Sequence, residues 1–129
     1  MTSLPNHVSN LILSQRLREL KVEQKSLFYW QKNHHGDFEI VTDESLELDF
    51  KRNSYRLPED LFCSAFLASE LGEMLSVVSE SNMLLAYGHV FNVPDTQIIT
   101  PLGLQMCMRK PDIASKMLIF LLENRLLKN

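Results

Sequence analysis

The 129-residue chain holds only two cysteines, four glycines and five prolines, and it has no excess of positive charge and no long apolar run. Each shortage excludes something. The glycines Gly36, Gly72, Gly88 and Gly103 are too dispersed for a glycine-rich loop that cradles phosphate. Cys63 and Cys107 do not make the disulfide framework of a small secreted domain. The start MTSLPNHVSNLILSQR has neither a basic beginning nor an apolar core of about seven residues, so no export signal is expected and a reduced, cytoplasmic protein is. The longest apolar run, MLIFLL at Met117 to Leu122, falls far short of the roughly 20 residues that span a bilayer, so no membrane role is expected. With 13 Lys and Arg against 16 Asp and Glu, the net charge of -3 offers no general attraction to nucleic acid or anionic lipid.

What is present is the composition of a globular protein, 45% hydrophobic and 22% charged, at a length that suits a single domain over residues 1–129. Leu13, Leu17 and Leu20 recur at helical spacing among Arg16, Arg18 and Glu19, which predicts an amphipathic helix from about Ser9 to Lys21 with Ser9 as its cap. SLFYWQ and DFEIV then read as strands, rich in aromatic and branched residues, joined by KNHHG, where Asn33 and Gly36 suit the positive backbone angles of a tight connection. Thr42 to Pro58 reads as a long connection in which LELDF can add a short strand.

From Pro58 two patterns compete. One is a single long helix carrying Leu61, Ala65, Ala68, Leu71, Leu75 and Val78; the other is an extended LFCSAF followed by a shorter helix, LASELGEML. NMLLAYGHV and LQMCMR alternate as strands do, with TQII a third candidate between them. The last segment has Pro111 in a first turn, Asp112 at the positive dipole end, and Ile113, Met117, Phe120 and Leu121 along one face, widened by Leu118 and Leu122. That helix should stop near Glu123, with Asn124 turning left-handed and Leu126 folding back onto the last turn. The expected class is α+β, an antiparallel sheet of about four or five strands packed with an N-terminal helix, a short central helix and a C-terminal helix.

KVEQKSLFYW, SAFLASELGEML and IASKMLIFLLENRLL resemble, in the same order, segments of a family of small uncharacterised proteins of bacterial genomes, prophages and phages. The resemblance implies a compact α+β domain in a mobile-element setting and brings no activity, cofactor or site residue with it. In that family the residue before the second helix is usually threonine or a similar cap, preceded by extended chain. Leu67 stands there instead and cannot cap, which leaves Ser64 or an earlier helix start to serve; the family pattern favours the shorter helix. The glycine that usually closes the family's last helix is replaced by Asn124.

Chemistry is sparse. His34 and His35 beside Asp37 suggest a metal site, but neighbours on a strand point to opposite faces and no histidine follows at metal-binding spacing, so an exposed hairpin is the expectation. Glu70 and Glu73 share a helix face, where acidic residues also offset the helix dipole. Ser14, Ser64, Ser69 and Cys63 are nucleophiles in principle, without a Gly-x-Ser-x-Gly elbow or an assignable histidine. No catalytic, cofactor-binding or metal-ligating residue is assigned, no cofactor is expected, and a small enzyme would need a site assembled from distant residues. Residues 10–32 also read as a helix-turn-helix, which makes DNA binding the alternative, although LFYWQ places aromatics where a recognition helix wants base-reading side chains. The principal expectation is a non-catalytic protein that binds another protein or itself. A homodimer is favoured because LFYW and MLLAY offer bulky residues to both faces of a sheet that helices cover on one side only.

Overall fold

The computed structural model describes residues 7–44, 62–93 and 100–127. Helix α1, Leu11–Glu19, is capped by Asn10, whose Oδ1 accepts the Leu13 N–H at 2.9 Å. Ser9, the expected cap, is fully buried instead, because its backbone N–H bonds to the Phe66 carbonyl at 2.8 Å and draws it into the interior. The helix closes when Lys21 turns left-handed (φ 71°), with its N–H on Arg18 O and the Val22 N–H on Leu17 O. That is the Schellman pattern, and it brings Val22 onto the core.

Strands β1, Phe28–Lys32, and β2, Phe38–Thr42, form the expected antiparallel hairpin, with Trp30 opposite Ile40 and Lys32 opposite Phe38. Gly36 supplies the positive angle of the turn (φ 89°), while Asn33 works through its side chain, accepting the N–H groups of His35 and Asp37. Strand β3, Phe62–Ala65, pairs antiparallel on the other side of β1, so the sheet order is β2-β1-β3. The long helix from Pro58 is thereby excluded.

Helix α2, Ala68–Leu75, begins at Leu67 without a side-chain cap from that residue. Neither Ser64 nor an earlier start makes up for it. Glu70, three residues on, reaches back to accept the Leu67 N–H at 2.8 Å, the acidic half of a capping box.

The described residues hold three strands rather than four or five, because two segments read as strands are helices. NMLLAYGHV lies in α3, Glu80–Phe91, and most of LQMCMR in α4, Pro101–Met108. The start of each is set by a cap the alternation obscured: Ser79 Oγ accepts from Asn82 N–H, and Thr100 Oγ1 from Gly103 N–H with Pro101 in the first turn. Met83 and Ala86 then fall on one buried stripe, as does Leu104 in α4. TQII, LELDF and most of the Thr42 to Pro58 connection lie outside the described residues.

Helix α5, Pro111–Glu123, is the hub, packing against each of the other four helices. Ala114, Met117, Leu118 and Leu121 are fully buried, whereas Phe120, expected on the same face, is half-buried and stacks on His89 with ring centroids 4.5 Å apart. The helix stops at Glu123, but the left-handed residue is Arg125 (φ 59°), not Asn124, and Leu127 rather than Leu126 packs on the core. Asn124 stays close to helical and donates its side-chain amide to Phe120 O. A second, small cluster of Tyr29 and Phe62 with Val41 sits on the sheet.

Candidate functional site

His34 and His35 lie in the exposed hairpin turn, not on its strands, and their rings face each other with centroids 4.0 Å apart. Among the described residues no three His, Cys, Asp or Glu side chains are grouped to hold a metal ion. Glu70 is engaged twice in structure, accepting the Leu27 N–H at 3.1 Å as well as that of Leu67, so it ties the lead-in to β1 onto α2; Glu73 is exposed. Of the candidate nucleophiles, Ser14 bonds to Ser9, and Ser69 is exposed. Ser64 Oγ is buried without a hydrogen-bond partner. Burial pushes the Cys63 thiol up to about 11, only partly offset by the charge of Arg18, which makes it a poor nucleophile at neutral pH. The structure brings none of these residues together into a catalytic set.

The two arginines of α1 are likewise committed to the fold. Arg16 bonds to Glu123 at 2.6 Å and to Glu19 at 3.2 Å, and Arg18 donates to the Phe62 carbonyl at 2.8 Å. The second helix of a helix-turn-helix does not form, since Phe28–Lys32 is β1 and its Tyr29 is buried. Trp30 donates its ring N–H to Ser9 O. The aromatics of LFYW are thus sheet residues, the reason that a base-reading helix is absent.

A cleft of about 670 Å³ opens beside the first turns of α2 and α5, lined among others by His7, Ser69, Arg109, Lys110 and Asp112. Arg109 and Lys110 make its rim basic. Asp112, whose carboxylate accepts both the N–H and the side-chain amide of Asn10 at 2.9 and 3.3 Å, puts the opposite charge in the same cleft. This mixed lining selects neither anions nor cations.

The largest group of exposed apolar residues in helices lies on α3 and α4. Tyr29 and Phe62 are 5% and 6% exposed within one chain, so the sheet face they share does not await a partner. Besides Ile12, Leu27 and Val77, which are exposed singly at 77%, 61% and 78%, α3 exposes Leu84, Leu85 and Phe91, and α4 exposes Leu102 and Met106 at 63% and 55%. Leu84 and Phe91 are two helical turns apart and Leu102 and Met106 one turn apart, so each pair shares the outer side of its helix. Charge is scarce there too: from Ser81 to Met108 the only Asp, Glu, Lys or Arg is Asp95. Alternation in NMLLAYGHV points to a sheet; the signal for apolar residues left on the outer sides of these helices is the charge-poor stretch, since surface helices ordinarily carry charged residues there.

No helix among the described residues is long and apolar enough to cross a membrane. No protein-family model, no curated protein and no solved structure matches the chain.

Proposed function

We propose that this protein is non-catalytic and acts by association, with a second copy of the same chain as its partner, through the outer faces of α3 and α4. The observation that carries the reading is the coincidence of exposed Leu84, Leu85, Phe91, Leu102 and Met106 with two helices that hold one acidic residue, Glu80, between them. A neutral apolar face meets its own copy across a two-fold axis without like-charge repulsion, and depletion of charge is what distinguishes the centre of protein interfaces. The resemblance of the three segments extends the proposal to a cytoplasmic protein of phage, prophage or mobile-element origin.

Sedimentation velocity over a range of protein concentrations tests it. The mass should rise from the 14.9 kDa of one chain towards twice that value by high micromolar concentration. Leu85→Glu and Met106→Glu should return it to the monomer with the melting temperature of dilute protein unchanged. A mass that stays at one chain throughout overturns the reading, as does association that both substitutions leave intact. The second case would leave a different protein or a nucleic acid as the partner to be sought.

A further inference from the structure

His89 is exposed in the last turn of α3, four residues beyond Leu85, so the two stand on the same outer side of that helix. Its ring stacks on Phe120 of α5 with centroids 4.5 Å and planes 29° apart. It is the one histidine between Ser81 and Met108, and histidine is the side chain that ordinarily changes charge between about pH 5 and 8. The face on which the proposed association rests therefore carries a group whose charge follows the pH.

The charges around His89 are few. α5, which packs against α3, carries Asp112, Lys116 and Glu123. Lys116 and Glu123 stand one turn to either side of Phe120, and Glu123 is bonded to Arg16 at 2.6 Å. Within α3 the charged residue is Glu80, nine positions before His89, and α4 has no acidic or basic residue. Among the described residues the ion pairs are those of Arg16, and none reaches His89.

We propose that His89 makes the association through α3 and α4 sensitive to pH: the neutral imidazole is tolerated in the contact, and the imidazolium is not, so the two chains separate as the medium turns acidic. This inference rests on the proposed association and names its regulation. An imidazolium carried into an apolar contact loses hydration with no carboxylate at hand to replace it. A two-fold axis also brings the identical charge of the second copy to the same surface. Protons therefore bind the separated chains better than the pair. Two protons are taken up when a dimer parts, so in the acid limit the dissociation constant rises by up to about a hundredfold per pH unit.

The test is sedimentation velocity of the parent, His89→Gln and His89→Lys at about pH 8, 7, 6 and 5.5, with the circular dichroism spectrum showing that each is folded. The parent's dissociation constant should rise by about tenfold or more from the highest pH to the lowest. His89→Gln, neutral throughout, should associate at every pH without that rise. His89→Lys, charged throughout, should associate at pH 8 as weakly as the parent does at pH 5.5. A parent that stays at the mass of one chain at every pH overturns the association and this inference together. Association of unchanged strength from pH 8 to 5.5, or a rise that His89→Gln retains, overturns this inference alone, and so does His89→Lys that pairs as tightly as the parent at pH 8.

Discussion

Helix α1 and the pair α3 and α4 rest on the same core, yet they turn opposite surfaces to solvent. In α1 the polar side chains are recruited by distant parts of the chain: Arg16 reaches Glu123 on α5, and Arg18 reaches the Phe62 carbonyl of β3. In α3 and α4 the outward positions include exposed Leu84, Leu85, Phe91, Leu102 and Met106, beside polar Ser81, His89 and Gln105. A helix whose polar face is bound within the molecule acts as a clasp. One whose outer face carries several apolar residues and little charge is the feature on which the proposed association rests.

Core substitutions should separate the two regions most widely. Leu17→Ala, which empties a fully buried site in α1, should lower stability by about 3 kcal/mol. Leu85→Ala, at a half-exposed site in α3, should cost less than about 0.5 kcal/mol in dilute solution. Urea denaturation of both variants measures this, and similar losses would mean that α3 is as much a part of the intramolecular core as α1.

The thiols offer a second, smaller contrast. At neutral pH an alkylating reagent should label half-exposed Cys107 of α4 well before buried Cys63 of β3. Cys63 also carries a pH dependence whose sign follows from its burial. Its folded pKa is raised from 9.0 to about 11, so the unfolded chain releases this proton first as pH rises. The stabilisation is complete below about pH 9 and is lost progressively towards pH 11. Denaturation midpoints of the parent should therefore fall more steeply over that window than those of Cys63→Ala; parallel slopes would show that the thiol is not held neutral by the fold.

The smallest effect concerns how the helices end. α1 closes through Lys21 and α3 through Asn92, both left-handed (φ 71° and 52°). Asparagine tolerates that conformation better than lysine, and glycine bears it freely. Lys21→Gly should raise stability by about 0.5 kcal/mol, whereas Asn92→Gly should leave it nearly unchanged. Thermal melts of the two variants are sufficient, and a destabilised Lys21→Gly would mean that the lysine side chain contributes more to the clasp than its backbone strain subtracts.

Legibility in the sequence followed the range of the forces involved. The hairpin was readable because Asn33, Gly36 and the alternation on either side act over a few residues. The C-terminal helix was readable because one long apolar face and Pro111 point the same way. NMLLAYGHV, Asn82 to Val90, misleads because its leucines, methionine and valine satisfy a period of two almost as well as a period of 3.6, and short apolar runs do not separate the two. Packing of Met83 and Ala86 against α5 decided it. The cap of α1 was misplaced by one residue for a similar reason: Ser9 and Asn10 both suit the position, and a bond from Ser9 to Phe66 assigned them.

The sequence by itself determined that the chain mixes helices with an antiparallel hairpin, where its last helix begins and stops, and that it lacks the local motifs of familiar chemistry, all matters of neighbouring residues and composition. Only the tertiary structure decided which apolar residues remain outside and how β3 is covered. Ser9, Arg18 and Gln24 find their backbone partners 57, 44 and 40 residues away, and no local pattern announces a contact across such a distance. A side chain's role there is set by what the folded chain brings within about 3 Å of it, which the preceding and following residues do not specify.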